Sequence, residues 1–200
     1  WGQLLARASD RETVVFGTVL FGRMGVAERA ERAMGAFINT LPLRLDLDDT
    51  GVEIAARKTH ALLSEVFRHE HASLALAQRC SGVIAPQPLF SSILNYRHNQ
   101  VITVTQADLD ASVSKQQWLT THERTNYPIS MSVEDLGDAM GVTAQTMPGL
   151  DADMLCRLFV HTLAGLASAL ETAPGRAIRD IDALSDRERQ AILAHARASD

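Results

Sequence analysis

Long apolar runs are scarce in this chain: stretches such as Val14–Phe16 and Val19–Phe21 fall far short of the roughly 20 residues a membrane-spanning helix needs. Cysteine is scarcer still. Cys80 and Cys156 cannot make a disulfide framework, and they read as reduced thiols of a cytoplasmic protein, with Cys80 an inert one despite its neighbour Arg79. Clusters of Lys and Arg are missing and the formal net charge is −5, so nothing displaces counterions from phosphates and nucleic acid is excluded as a partner. A hydrolase elbow (G-x-S-x-G) does not occur, and Gly17, Gly22 and Gly25 do not form a dinucleotide or phosphate loop. Histidine is clustered only at His69-Glu70-His71. Positions i and i+2 diverge by about 200° on a helix, so this is a helix-terminal cluster and no metal is expected.

What is present fits one globular domain or one lobe of a larger one: 46% hydrophobic and 22% charged residues. Trp1, Leu4, Leu5 and Ala8 have helical spacing from the first residue, and Asp186–Ala198 reads as a helix with no Gly or Pro terminator. Both ends therefore read as cut, and the chain as a fragment. Val14–Phe21 is β-branched and aromatic and reads as a central strand. Ala27–Ile38 reads as a helix. Leu41, Leu43, Leu45 and Leu47 alternate with polar residues as a half-buried strand, whose Pro42 points to an edge or a bulge; Arg44 then reads as a solvated charge.

Thr50 and Glu53 match a capping box ahead of a helix with the stripe Val52, Ala55, Ala56, Leu62, Leu63, Val66 and Phe67. Ser73–Arg79 predicts a shorter helix, Ser81–Pro88 a loop, and Leu89–Arg97 a strand centred on Ile93–Tyr96. Gln106–Gln117 reads as a surface excursion. Alternation at Ile129–Val133 and Met140–Thr146, joined by Glu134–Asp138, predicts an antiparallel hairpin. Asp151 caps a long helix with the face Leu155, Leu158, Phe159, Leu163, Leu166 and Leu170, ended by Pro174-Gly175, and Arg176–Ser185 reads as an extended linker. Interleaved helices and strands with a late hairpin specify an α/β two-layer sandwich with a mixed sheet. From the residues alone, this is an α/β lobe with no self-contained active site.

Several stretches, in order, resemble the condensation domains of nonribosomal peptide synthetases. Thr13–Arg23 resembles a strand of that family, and Met34–Arg44 (MGAFINTLPLR) closely matches its G-x-F-[IV]-N-T-L-P-L-R signature. His69–Val83 sits where the family carries a His-Gln-Asp-type motif. Pro88–Arg97 (PLFSSILNYR) matches the Pro-Leu-Phe segment, Glu123–Leu136 a late strand, and Leu184–Ala191 the text leading to an adenylation domain. HEHASLALAQ departs from the common motif, and Arg-Asp-Ser-Arg does not precede Pro-Leu-Phe. These departures resemble the subgroup with dual epimerisation and condensation activity.

The resemblance implies a chloramphenicol acetyltransferase-like lobe: residues 1–175 as the C-terminal lobe of a condensation domain and 176–200 as a linker toward an adenylation domain. It implies amide formation between thioesters tethered to phosphopantetheine arms of aminoacyl and peptidyl carrier proteins. No cofactor would be bound directly. The catalytic HHxxxDG motif does not occur in this sequence, so no catalytic residue is expected here and the fragment should be inactive alone. The partners implied are the N-terminal lobe, carrier proteins and an adenylation domain, with neither membrane nor nucleic acid. Asn39, Thr40, Asn95, Tyr96 and Asn126 are the expected substrate-channel residues. Two other readings stand beside this one: a degenerate domain that only recruits carrier proteins, and a standalone acyltransferase of the same fold.

Overall fold

The computed structural model describes residues 1–21, 37–98 and 125–198. Most of the helix expected over Ala27–Ile38 lies outside these residues, as do Gln106–Gln117 and the Met34–Ala36, Gly22, Arg23, Gly25 and Glu123 positions of the expected motifs. Phe37 and Ile38, which are described, are not helical.

A five-stranded mixed sheet organises the lobe, in the order β2-β1-β3-β4-β5. The strands are β1 (Thr13–Leu20), β2 (Asn39–Asp46), β3 (Ser92–His98), β4 (Ile129–Asp135) and β5 (Met140–Thr146). β1, β3 and β4 run parallel, while β2 and β5 pair antiparallel at the two edges. Pro42 lies on edge strand β2 opposite Gly17, where its missing N–H leaves no central ladder broken. The expected late hairpin is β4–β5, closed by Leu136 N–H donating to the Ala139 carbonyl at 2.9 Å.

Helices α1 (Gly2–Ser9), α2 (Val52–Arg68) and α4 (Ala152–Thr172) cover one face, with α3 (Leu74–Cys80) beside β2 and α5 (Asp186–Ala198) following a single 3₁₀ turn at Ile178–Asp180. Phe16, Leu43, Leu45, Leu94, Met131 and Val133 point into this helix-covered face. Leucine alternation along and just past β2 therefore did its expected work: Leu41, Leu43, Leu45 and, one residue beyond the strand, Leu47 are all buried. By length and composition α4 could cross a bilayer, but Phe159, Thr162 and Ala169 are buried within the lobe, the rings of Phe159 and Trp1 lying 6.3 Å apart.

Local details differ from the sequence reading. The Thr50–Glu53 capping box does not form. Gly51 is the N-cap, and the first free N–H groups of α2 are taken from outside: Val52 donates to the Arg176 carbonyl (2.9 Å) and Glu53 to that of Pro174 (3.1 Å). Glu53 turns instead to Arg57, 2.9 Å away. Gly51 packs closely there: a Cβ would come within 3.1 Å of Gly175 Cα, a tight contact. The Asp151 cap does form, its Oδ1 accepting from Met154 N–H at 2.9 Å.

Both amphipathic stripes are narrower than their apolar residues suggest. Leu62 and Phe67 on α2, and Leu163 and Leu170 on α4, are exposed, whereas Thr162 and Ala169 are buried. The segment read as an extended linker packs against the lobe, with Ile178, Ile181 and Ala183 buried. The Gln3 amide donates to the Ile181 carbonyl at 2.9 Å and fastens it there.

Candidate functional site

β1, β3 and β4 end at one edge of the sheet, where β2 and β5 begin, so Leu20, Asn39, His98, Asp135 and Met140 come to the same end. Carboxyl ends of parallel strands are where α/β sheets hold their ligands. Side chains alternate between faces along a strand. Asn39 and Tyr96 therefore belong to the helix-covered face, and Thr40 and Asn95 to the open one. The expected channel residues do not form a single group.

Asn39 is a clamp. Its Nδ2 donates to the carbonyls of Glu70 (2.7 Å) and Ala72 (2.8 Å), and its Oδ1 accepts from Thr40 N–H (2.9 Å). The start of β2 is thereby stapled to the elbow between α2 and α3. In that elbow His69 caps α2 and lies 3.5 Å from Glu65, while His71 lies 3.7 Å from Glu70 Oε1. The two imidazoles thus face different carboxylates, and no metal-binding group of His, Cys, Asp or Glu occurs among the described residues. Glu70 is 4% exposed, and among the described residues its Oε2 has no hydrogen-bond partner. Ser73 then caps α3 by accepting from Leu76 N–H.

On the open face, Asn95, with its amide oxygen turned to Arg97, accepts from Nε and Nη2 at 3.0 and 3.2 Å. Arg97 lies 3.6 Å from Glu134 on the neighbouring strand. Thr40 stands beside Gly17, where any Cβ would come within 2.5 Å of the Phe90 ring and 2.9 Å of Ile93 Cγ2. Glycine is what seats Phe90 on this face. Phe90 in turn stacks on Tyr127, ring centroids 5.4 Å apart at 24°. Asn126, next to Tyr127, is exposed in the approach to β4. Arg44 is largely exposed, as a solvated charge would be, and lies 3.2 Å from the equally exposed Asp46 on its own strand.

At the ends of β3 and β4 a third group forms. Asp135 Oδ2 accepts from the Tyr96 hydroxyl at 2.7 Å and meets His98 Nδ1 at 2.9 Å, while Oδ1 accepts from Gly137 N–H at 2.9 Å. The Tyr96 hydrogen bond first, then those from Gly137 and His98, hold the Asp135 carboxyl down to about 2. The same bond pushes the Tyr96 phenol up. Sequence reasoning named Tyr96 but missed Gly17, Phe90, His98 and Asp135. Strand register was the signal that could have found the last two, since it places His98 opposite Asp135.

A protein-family model described as Condensation domain matches residues 1–193. Malpinin synthetase of Mortierella alpina is 48% identical over 193 residues, which cover 96% of this chain and 2% of that protein. The chain thus spans a small fraction of this curated relative. Among solved structures, the four-domain nonribosomal peptide synthetase AB3403 bound to AMP and glycine superposes with a TM-score of 0.67 at 18% identity, covering 94% of this chain and 15% of that one. The starter condensation domain of rhizomide synthetase RzmA, in complex with C8-CoA, does so at 0.65 and 18% identity, covering 92% of this chain and 42% of that one. At these identities the likeness is one of fold.

Proposed function

The chain belongs to the condensation domain family, and from that premise we propose that it forms the C-terminal lobe (residues 1–175) of a domain that joins carrier-tethered aminoacyl and peptidyl groups, with 176–200 leading toward an adenylation domain. An amine held as one thioester attacks the carbonyl of another; the N–C bond forms, the C–S bond breaks, and a thiol leaves. The phosphopantetheine arms of two carrier proteins present these groups in the cytoplasm, against a wall shared with the N-terminal lobe. A histidine of an upstream HHxxxDG motif serves the attacking amine. This lobe contributes position, which is a large part of the barrier in acyl transfer.

The observation that carries the reading is the Asn39 clamp. Asn39 lies within the family signature, and its three hydrogen bonds fix the strand start against the α2–α3 elbow. Asn39→Ala in the parent synthetase should cut dipeptide formation about tenfold, because an ångström of misplacement costs far more than the lost bonds themselves. Unchanged turnover would remove the clamp from the mechanism. Thr40 and Asn95 on the open face, Tyr96 on the other, and Asn126 in the approach loop are the further residues proposed to border the channel. Dual epimerisation and condensation activity is the finer assignment, tested by the configuration of the donor residue in the product. A parent synthetase that retains loaded carriers yet joins nothing would support recruitment alone.

A further inference from the structure

The two edges of the sheet are finished differently. β2 carries Pro42, Arg44 and Asp46, with α3 alongside; proline, charge and a covering helix all blunt an edge against further pairing. β5 (MGVTAQT) has no proline and no charge, and all seven of its residues stay in register with β4. The pairs around it settle which way its backbone points: Leu136 N–H donates to the Ala139 carbonyl, and Met147 N–H to that of Pro128. Bonded and non-bonded pairs alternate along an antiparallel ladder, so Gly141, Thr143 and Gln145 bond to β4. Met140, Val142 and Ala144 therefore turn their N–H and C=O groups outward. Among the described residues no backbone group meets these; Cys156 Sγ, a weak donor, lies 4.0 Å from the Val142 carbonyl.

Beside this open edge runs a groove of about 1240 Å³, lined by Met140 and Val142 of β5, Met154, Val160 and Ala164 of α4, and Ile192 of α5. Met140, Val160 and Ile192 are 57%, 50% and 44% exposed. Val142 and Ala144 lie opposite Val133 and Met131 and share their helix-covered face. A strand laid against β5 would thus send alternate side chains into the groove. Arg157 and Arg187 also line it, against the single carboxylate of Glu188, which is already held by Ser185 Oγ at 2.7 Å and Arg157 at 3.5 Å. The lining is net positive.

We infer that β5 and this groove form a docking site for an extended segment of another polypeptide, with apolar side chains at alternate positions and carboxylates flanking them. Main-chain hydrogen bonds to Met140, Val142 and Ala144 supply affinity, and the groove selects the alternate side chains, as in other strand additions at a sheet edge. The site lies at the opposite edge of the sheet from the Asn39 clamp. A second copy of this chain fits less well, because two-fold pairing through β5 would bring two cationic grooves together.

The test follows the fluorescence anisotropy of a labelled eight-residue peptide, alternating valine with threonine and carrying glutamate at both ends, as the parent synthetase is added. Saturable binding is expected, at least about tenfold weaker when the peptide amides are N-methylated, since the main-chain bonds are lost. Val142→Pro removes an outward N–H without breaking a bond to β4 and should weaken binding to a similar extent. Should that variant fail to fold, Arg187→Glu at the exposed start of α5 decides: it should shift the preference from the glutamate peptide toward a lysine one by about tenfold. Absence of saturable binding would overturn the inference. So would wild-type affinity for the N-methylated peptide or in Val142→Pro, which marks an apolar groove without strand addition, or an unchanged charge preference in Arg187→Glu. Self-association of the parent synthetase that Val142→Pro abolishes would give the edge to a second copy and overturn it equally.

Discussion

The two faces of the sheet solve different problems with residues one position apart. On the helix-covered face Phe16, Leu43, Met131 and Val133 are buried under α1, α2 and α4, and polar groups occur at the strand ends, where Asn39 and Asp135 are saturated with hydrogen bonds. The open face carries Thr40, Asn95, Arg97 and Glu134, interrupted by the Gly17–Phe90–Tyr127 patch. Neighbours in sequence therefore cannot be presumed to share a site. Asn39 and Thr40, or Asn95 and Tyr96, belong to different surfaces of one lobe.

Substitution of the adjacent pair breaks the comparison most sharply. In a complete condensation domain, Asn39→Ala leaves two elbow carbonyls without their donor and should cost about 2–3 kcal/mol, whereas Thr40→Ala should cost less than about 1 kcal/mol. Urea unfolding measures both, and equal losses would erase the distinction between the faces. Gly17→Ala follows, at about 1–3 kcal/mol, because a methyl group has no room beneath Phe90; a neutral result would mean the patch yields freely. Asp151→Ala should cost about 1 kcal/mol and Thr50→Ala under about 0.5 kcal/mol, since only Asp151 caps its helix.

The smallest effect is one of pH. Asp135 is held at about 2, below its ordinary 3.8, so its contribution is present above about pH 4 and lost as pH falls toward 2. Asp135→Asn should flatten the acid limb of the stability curve between those values. An unaltered limb would mean that the hydrogen bonds to Tyr96, Gly137 and His98 do not persist in solution.

Much of this architecture was legible from period alone. Alternating leucines marked β2, the late hairpin fell where two alternating runs flank Glu134–Asp138, and Asp151 announced its helix. The capping box failed because the carbonyls of Pro174 and Arg176, more than a hundred residues away, reach the N–H groups that Thr50 was expected to serve. Local pattern cannot register such a distant competitor. The stripes on α2 and α4 came out too wide because spacing shows which residues share a helix face, not how much of that face a neighbour covers. Arg176–Ser185 looked extended for want of helical period, yet Ile181 is 1% exposed. Asn39 was legible only as a channel residue implied by the family resemblance; the carbonyls of Glu70 and Ala72 that it captures lie more than thirty residues away. His98 and Asp135 were not legible, since nothing in sequence aligns position 98 with 135 until the parallel register of β3 and β4 is known.

The direct trial of the account is to offer the purified 200-residue chain two loaded carrier proteins and follow dipeptide beside the parent synthetase. A lobe that shapes the wall without the upstream histidine should release no product, while the parent turns over. Sustained dipeptide formation by the chain alone would contradict it.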